Sequence, residues 1–287
     1  MSGTLLSFGH GYSAQALAAR LIPQGWRVIG TTRSPEKANA IRETGAEALV
    51  WPGEDPGNAL DAATHLLLSA GPTEAGDPVL TALGPALERV AADLAWAGYL
   101  STTGVYGDRA GGWVDETSEC RPATRRGQWR LAAEGGWQDL AAKTGLPLHI
   151  FRLAGIYGPG RGPFAKVRAG TARAIVKPGQ VFSRIHVTDI AAALEASIAH
   201  PDPGAIYNLC DDEAAPPQQV LAHAAALLGR PAPPEEPFET AEMTPMARSF
   251  YAESKRVSNA RVKRALGLRL AYPTYREGLA ALLAAEG

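Results

Sequence analysis

The sequence has very little cysteine. Cys120 and Cys210 are the only two among 287 residues, and neither stands in a CxxC or His-flanked pattern. Disulfide frameworks and zinc sites need several cysteines or histidines at short spacings. The sequence therefore predicts neither a disulfide-stapled fold nor a metal site. Two isolated cysteines fit a reducing compartment, so we expect a cytoplasmic protein.

The sequence also lacks an excess of charge of one sign and long apolar runs. Lys and Arg total 28 against 29 Asp and Glu, a formal net charge of -1, which gives no general attraction to nucleic acid or anionic membrane. No apolar run reaches the roughly 18 residues that span a bilayer, and the N-terminus lacks the basic start and apolar core of a signal peptide. We expect a small-molecule ligand and no nucleic-acid or membrane partner.

Apolar residues are plentiful at 46%, which is enough for a large core. In the first half, short apolar runs alternate with segments of helical periodicity, the pattern of βαβ units. We predict strands at 5–8, 26–32, 48–50, 65–69, 98–101 and 148–153. Helices are predicted at 14–22, 35–44, 78–96 and 127–143.

The second half of the chain is less regular. Glycine and proline are dense after residue 158, a strand and a helix follow at 184–200, a short strand is expected at 206–208, and helices are expected at 218–228, 255–266 and 274–284. We predict an α/β fold: a Rossmann-type doubly wound parallel sheet from residues 1–160, completed by about 184–200. A smaller C-terminal substrate lobe would comprise residues 161–183 and 201–287.

A nucleotide-binding fingerprint lies between the first predicted strand and helix. The pattern G-x-G-x-x-[GA] is matched by Gly9, His10, Gly11, Tyr12, Ser13 and Ala14. Such glycines allow a tight turn and a close approach of the backbone to a pyrophosphate, which rests on the helix N-terminus. The alternative is that these small residues only form a strand-to-helix turn.

The end of the second predicted strand indicates the type of dinucleotide. An NAD site usually has an acidic residue here for the ribose, whereas this chain has Arg33. A cation favours the 2′-phosphate, so we expect NADP, with NAD as the other option. Arg33 as a solvated loop residue is the alternative. His10 is a candidate phosphate contact, with an exposed loop histidine as its alternative, and Ser69 is a further expected cofactor contact.

Four segments in the rest of the chain carry a family resemblance. They are YLSTTGVYG at 99–107, VDE at 114–116 followed by Pro122, RLAGIYGPG at 152–160, and RIHVTDI at 184–190. In this order they resemble the extended short-chain dehydrogenases/reductases of the NAD(P)-dependent epimerase/dehydratase type. The resemblance implies a bound nicotinamide dinucleotide, a substrate in the C-terminal lobe, and dimerisation through two helices. His186 and Asp189, in the last segment, are expected to be structural.

The resemblance also implies a catalytic Ser or Thr, Tyr and Lys. Thr102 matches the first position. Arg126 and Arg130 stand where the Tyr-x-x-x-Lys pair is expected, with Glu134 four residues further on. Arginine cannot act as a general acid or base near neutral pH. We expect Arg130 to hold the nicotinamide ribose and Arg126 to bind a carboxylate or phosphate; a surface ladder of Arg126, Arg130 and Glu134 is the alternative.

The sequence leaves open which residue donates a proton and which residues bind a charged substrate. Tyr106 and Tyr157 are candidate proton donors, with packing as the alternative for both. Arg161, Arg168, Arg173 and Lys177 make the lobe basic, which favours an anionic ligand or is only a solvated surface.

Three functions remain consistent with the sequence. We favour an NADP-dependent oxidoreductase or epimerase that acts on a small polar or anionic substrate with altered proton chemistry. The second is a non-catalytic NADP(H)-binding sensor, suggested by the loss of the Tyr and Lys, and the third is a scaffold with an empty nucleotide site.

Overall fold

The computed structural model describes residues 2–286 and contains strands in both halves of the chain. The strands are β1 Thr4–Phe8, β2 Arg27–Thr32, β3 Glu47–Val50, β4 His65–Leu68, β5 Trp96–Thr102, β6 Trp113–Val114, β7 Leu148–Leu153, β8 Gly155–Tyr157, β9 Ala174–Val176, β10 Arg184–His186, β11 Ile206–Leu209, β12 Glu235–Pro237 and β13 Arg256–Val257.

The helices separate these strands along the chain. They are α1 Tyr12–Leu21, α2 Pro35–Glu43, α3 Gly57–Ala62, α4 Pro78–Val90, α5 Arg125–Thr144, α6 Phe164–Arg168, α7 Val187–Ala199, α8 Pro217–Leu227, α9 Pro245–Phe250, α10 Ala260–Leu266 and α11 Tyr275–Glu286. Single 3-10 turns occupy Ile22–Gln24, Ala91–Asp93 and Thr103–Tyr106.

Seven strands form one parallel sheet in the order β11-β7-β5-β4-β1-β2-β3. The chain builds outward from β1 to β3 and then crosses back to β4, so the direction of growth reverses between β1 and β4. Open parallel sheets bind ligands outside the carboxyl ends of the strands at such a switch point. The predicted Rossmann-type α/β fold is confirmed.

Both faces of the sheet are covered by helices, which explains why β1 and β4 are nearly continuous apolar runs. One core contains Leu5 of β1 with Leu17 of α1 and Leu194 of α7. The opposite core contains Leu6 of β1 with Trp137 of α5. Neighbouring residues of one strand thus serve two different cores.

The helices near the cleft begin at residues that cap them. Asp77 accepts hydrogen bonds from Val79 N–H and Leu80 N–H at the start of α4, and Thr124 accepts one from Gly127 N–H at the start of α5. Side-chain oxygens at this position satisfy amides that have no partner within the helix. The capped starts fix where α4 and α5 meet the carboxyl edge of the sheet.

Two predicted helices differ from the observed ones. The helix predicted at 78–96 ends at Val90, and after a 3-10 turn Trp96 begins β5. The helix predicted at 255–266 begins only at Ala260, because Arg256 and Val257 pair with β6 as β13. In both places a strand adjoins a helix without a glycine or proline to separate them.

The division into sheet and lobe also differs from the prediction. The predicted lobe includes residues 206–209, but as β11 they pair with β7 at the edge of the main sheet. The C-terminal lobe has its own core, in which Phe164 of α6, Ala224 of α8 and Leu279 of α11 are buried together. The chain therefore enters the lobe after β7, returns to the sheet for β11, and leaves it again.

No helix within residues 2–286 combines the length and apolar character needed to cross a membrane.

Candidate functional site

The turn between β1 and α1 is tightly constrained. Gly9 has φ +78°, and a Cβ there would lie 2.7 Å from the Ala70 nitrogen. Gly9 N–H donates to the Thr31 hydroxyl at 2.9 Å, and His10 N–H donates to the Thr31 carbonyl at 2.9 Å. Gly9 is thus required by the fold itself, because the turn packs directly against the end of β4.

Gly11 is different. Its backbone is extended, with φ −94° and ψ −159°, a conformation open to any residue. A Cβ at Gly11 would meet only the Gly9 carbonyl oxygen, at 3.7 Å. Packing within residues 2–286 does not explain why this position is glycine, whereas the approach of a ligand to the bare backbone does.

The N-terminus of α1 is free to bind an anion. No side chain among residues 2–286 caps it, and the first hydrogen bond runs from Gln15 N–H to the Gly11 carbonyl. The preceding amides, those of Tyr12 to Ala14, therefore lie outside the helical ladder. Amides at a helix N-terminus attract phosphate. Ala14 is fully buried, as the fingerprint requires for close packing of α1 on the sheet. The residues present fit a dinucleotide pyrophosphate.

His10 is not an exposed loop residue. Its side chain is 4% exposed, and its ring lies over Gly30 of β2, where a Cβ would be 2.5 Å from the His10 Cγ. Neither ring nitrogen has a hydrogen-bond partner among residues 2–286. Burial lowers the pKa of His10 to about 4, so the ring is neutral at physiological pH.

The end of β2 carries the expected cation. Arg33 follows Thr32, the last residue of β2, and is exposed. Ser34 then caps α2 by accepting a hydrogen bond from Lys37 N–H at 3.3 Å. A cavity of about 350 Å³ lies between α1 and α2 beside this strand end, and His10 and Lys37 both line it.

Ser69 lies next to the glycine turn. Ser69 N–H and Ala70 N–H both donate to the Phe8 carbonyl, at 2.9 and 3.0 Å, so the end of β4 is held against the end of β1. Ser69 is half-buried at the switch point of the sheet, which is the position expected for a cofactor contact.

Arg130 is turned inward. One of its terminal nitrogens donates to the Leu100 carbonyl at 2.9 Å and to the Tyr99 hydroxyl at 3.1 Å. Its other terminal nitrogen is 3.7 Å from where a Cβ of Gly71 would be, just after the end of β4. The guanidinium therefore lies between the carboxyl ends of β4 and β5. Arg126, one helical turn earlier, is exposed, and its guanidinium has no partner within the described residues.

The alternative of a surface ladder is wrong. Glu134 is 1% exposed and forms an ion pair with Arg152 of β7 at 2.7 Å, and Ser101 also donates a hydrogen bond to its carboxylate. Arg130 is not its partner. Glu134 lies on the face of α5 that packs against the sheet. The i,i+4 spacing of Arg126, Arg130 and Glu134 therefore does not mark a solvent-exposed face of the helix.

The two hydroxyl residues of the predicted catalytic set are placed differently. Thr102, at the end of β5, is half-buried and accepts a hydrogen bond from Gly104 N–H at 3.1 Å. Tyr106 is fully buried, and its hydroxyl accepts from Arg152 at 3.0 Å and donates to Asn208 at 2.8 Å. Burial raises the pKa of Tyr106 to about 12. This placement argues against proton transfer by Tyr106 and for a packing role.

His186 and Asp189 are structural, as expected. His186 caps α7 by accepting a hydrogen bond from Thr188 N–H, and the Asp189 carboxylate accepts from Ala271 N–H and Tyr272 N–H. Asp189 thereby ties α7 to the segment that precedes α11.

The basic residues of the lobe are largely engaged within the protein. Arg168 pairs with Glu286, Arg173 pairs with Glu236, and Lys177 donates to the Tyr251 carbonyl. Arg161 lies over the Tyr12 ring at 5.6 Å. These contacts weaken the case for this cluster as an anion site.

Sequence reasoning missed three features of the site. Lys37 of α2 lines the cavity between α1 and α2, which its spacing from Ser34 does not indicate. The pairing of Glu134 with Arg152 and of the His10 ring with Gly30 joins distant parts of the chain, and no local pattern indicates either.

Within residues 2–286, no group of three or more His, Cys, Asp or Glu side chains is arranged to hold a metal.

Two curated relatives are similar to this chain. The Escherichia coli protein YeeZ is 30% identical over 220 residues, which is 70% of this chain and 75% of YeeZ. A Streptomyces protein named 3-diazoavenalumate denitrifying reductase is 27% identical over 297 residues, which is 96% of this chain and 93% of that protein. No family model matches the chain.

Solved structures share the fold over nearly the whole length. A conserved Silicibacter pomeroyi protein of unknown function is 61% identical with a TM-score of 0.95, and 99% of each chain is covered. UDP-glucuronic acid 4-epimerase from Bacillus cereus, solved in complex with NAD, is 16% identical with a TM-score of 0.78, covering 97% of this chain and 96% of the epimerase. The chain therefore belongs to the family of YeeZ and has the extended short-chain dehydrogenase/reductase fold of the epimerase/dehydratase type.

Proposed function

We propose that the protein is an NADP(H)-dependent reductase that acts on a small anionic substrate without a tyrosine proton donor. The observation that carries this proposal is the inward position of Arg130. Its guanidinium lies between the carboxyl ends of β4 and β5, next to Gly71, and has no carboxylate partner among residues 2–286.

The cofactor part of the proposal rests on the residues of the cleft. The free amides of α1 and the open space at Gly11 suit a pyrophosphate. In this proposal Arg130 would donate to the hydroxyls of the nicotinamide ribose. Arg33 at the end of β2 favours the phosphorylated dinucleotide over NAD. When bound, NADPH supplies a hydride.

The reaction type follows from what the arginines cannot do. Oxidation of an alcohol and its epimerisation need a base that removes the hydroxyl proton, and neither Arg126 nor Arg130 can serve as one. Reduction of an electron-poor acceptor needs only the hydride, and water can supply any proton. The name of the Streptomyces relative, a denitrifying reductase, supports reduction over epimerisation.

Substrate binding is assigned to two residues. The exposed guanidinium of Arg126 has donors in a planar fork that matches a carboxylate or phosphate. The Thr102 hydroxyl accepts from Gly104 N–H, which leaves its proton to donate to a substrate atom. Arg126 would set the affinity for the anion, and Thr102 would orient the reacting group.

We extend the proposal to location and assembly. Cys120 and Cys210 are free thiols, which suits a cytoplasmic protein, and a homodimer is the assembly that the family resemblance implies.

The experiment compares binding with turnover in purified protein. We expect calorimetry to give NADPH binding at least tenfold tighter than NADH binding. We also expect NADPH absorbance to fall with at least one member of a panel of 3-diazoavenalumate, aldehydes, ketones and unsaturated carboxylates. Arg130→Met should weaken NADPH binding about tenfold, whereas Arg126→Met should leave that binding intact and raise KM. Arg125→Met is the matched control, since Arg125 is the exposed neighbour of Arg126 on the same helix.

Two outcomes would overturn the reductase. NADPH binding without consumption across the panel would favour the alternative, a non-catalytic NADP(H) sensor, which the missing Tyr and Lys also suit. The absence of any dinucleotide binding would exclude both functions and leave a scaffold with an empty nucleotide site.

A further inference from the structure

The residues assigned so far give the proposed reduction a hydride but no acid. Addition of a hydride to a carbonyl leaves negative charge on the oxygen, and a positioned acid protonates that atom faster than bulk water does. Arg126 and Arg130 cannot give up a proton near neutral pH, and the Tyr106 hydroxyl is fully buried and already donates to Asn208. An acid for this step therefore has to come from another element beside the start of α5.

Lys255 stands just before β13 and forms an ion pair with Glu253 at 2.6 Å. The two side chains are only 10% and 11% exposed, so the pair is largely removed from water. An ammonium group has three donor hydrogens, and that of Lys255 has no partner other than Glu253 within residues 2–286. Buried donors are normally satisfied, so Lys255 keeps two hydrogens for water or a ligand.

Glu253 places this ion pair at the start of α5. Its other carboxylate oxygen accepts a hydrogen bond from Ala123 N–H at 3.4 Å, three residues before Arg126. Arg126 is the exposed guanidinium to which the substrate anion is assigned. The ammonium of Lys255 and the guanidinium of Arg126 therefore belong to the same end of the same helix.

The start of α5 also adjoins Thr102. A Cβ at Gly127, in the first turn of α5, would lie 3.0 Å from the Gly104 carbonyl oxygen, and Gly104 N–H donates to the Thr102 hydroxyl. This close packing joins the helix start to the carboxyl end of β5. Lys255 thus approaches from a third element the place where the anion-binding residue and the orienting hydroxyl meet.

The backbone around Lys255 is held in place by hydrogen bonds to other parts of the chain. Ser254 N–H donates to the Asp108 carboxylate at 2.7 Å. The Glu253 carbonyl accepts from the Gln180 side chain at 2.6 Å. Groups fixed in this way do not have to be ordered at the moment of reaction, which favours catalysis.

We propose that Lys255 is the proton donor of the reduction, in place of the missing tyrosine. The carbonyl carbon of the substrate accepts a hydride from NADPH, the electron pair of the double bond moves to the oxygen, and the oxygen takes a proton from Lys255 Nζ. The neutral amine regains a proton from water. Lysine, unlike arginine, can release its proton. This inference rests on the proposed reductase and adds its acid, with Glu253 as the residue that positions the ammonium.

A labelling experiment tests the position of Lys255 without any turnover. Protein saturated with NADP⁺ is incubated with glyoxylate and cyanoborohydride. The aldehyde condenses with an amine to an imine and releases water, and cyanoborohydride reduces the imine to a stable secondary amine that mass spectrometry locates. We expect Lys255 to be modified at least tenfold faster than Lys143, although the Lys143 side chain is 64% exposed. Because Arg126 would hold the glyoxylate carboxylate, Arg126→Met should slow modification of Lys255 at least fivefold and leave that of Lys143 unchanged.

A kinetic experiment tests proton transfer with a variant that keeps the charge. Lys255→Arg preserves a cation beside Glu253 but cannot release a proton, so kcat should fall at least thirtyfold while KM changes less than threefold. Lys263→Arg is the matched control, because Lys263 forms an ion pair with Asp212 at 2.5 Å on α10, and it should keep the wild-type kcat. Modification of Lys255 no faster than that of Lys143, or a wild-type kcat in folded Lys255→Arg, would overturn the inference.

The outcomes also separate this inference from the reductase. Consumption of NADPH by the wild type, together with an unchanged kcat in Lys255→Arg, refutes only the role of Lys255. Rapid modification of Lys255 that depends on Arg126, without consumption of NADPH across the panel, refutes the reductase and its proton transfer but supports the position of Lys255 beside the anion site.

Discussion

Replacing Gly11 by alanine tests directly where the pyrophosphate lies. The backbone at Gly11, with φ −94° and ψ −159°, suits an alanine, and the added methyl would have only the Gly9 carbonyl oxygen near it, at 3.7 Å. Alanine restricts the unfolded chain, a gain of about 0.4–1 kcal/mol. Gly11 is also the N-cap of α1, where alanine is less favourable than glycine by a similar amount, so Gly11→Ala should leave the unfolding free energy within about 1 kcal/mol of wild type. The same methyl would project into the space assigned to the pyrophosphate.

Gly9→Ala is the matched comparison two residues away. Gly9 has φ +78°, and its added Cβ would lie 2.7 Å from the nitrogen and 2.9 Å from the Cα of Ala70. A left-handed alanine costs about 1–2 kcal/mol, and relieving the contact with backbone costs about 1–3 kcal/mol more. Gly9→Ala should therefore lose about 2–5 kcal/mol of unfolding free energy.

Urea denaturation and NADPH calorimetry separate the two effects. We expect Gly11→Ala to unfold at a urea concentration close to that of wild type and to bind NADPH at least tenfold more weakly, a loss of about 1.4 kcal/mol or more. Wild-type affinity in a stably folded Gly11→Ala protein would refute the placement of the pyrophosphate against this turn.

Two further predictions concern buried charge. Glu134→Leu should lose about 3–5 kcal/mol of unfolding free energy, because it leaves the Arg152 guanidinium buried and unpaired. Adding Arg152→Met should restore most of this loss. A loss below about 1 kcal/mol for Glu134→Leu, measured by urea denaturation, would contradict the buried ion pair. The folded-state pKa of His10 is lowered to about 4 by burial, so the unfolded chain takes up the proton first. The contribution of His10 to the unfolding free energy is therefore complete above about pH 6.5 and is lost toward pH 4 by about 1.4 kcal/mol per pH unit. His10→Leu should flatten the pH profile of the unfolding free energy by up to about 3 kcal/mol over that window, and profiles that run parallel would show that His10 is not buried.

The sequence predicted the nucleotide half of the fold well, because its signals are local. The strand at 5–8, the glycine turn and the helix at 35–44 each depend on neighbouring residues, and β7 was predicted at its observed bounds. Arg33 was placed correctly at the end of β2 for the same reason.

The predictions that were wrong concern features that depend on tertiary contacts. The run at 206–208 is too short to reveal its partner, and only its pairing with β7 makes it part of the sheet. The burial of Glu134 depends on Arg152, and that of His10 on the missing side chain of Gly30. A helical spacing cannot reveal a charge partner on another element, and a loop histidine does not reveal a strand glycine 20 residues away.

The place of β11 has a consequence for any attempt to dissect the protein. The edge strand is made only after the chain has left the sheet and built β8 to β10, so a single cut that keeps all seven strands must lie after Leu209 and also retains β8 to β10. A fragment that stops before Ile206 would leave β7 as a bare edge, with unpaired amides and carbonyls open to aggregation. Expression of the two halves as separate polypeptides should yield soluble material only when both are made together.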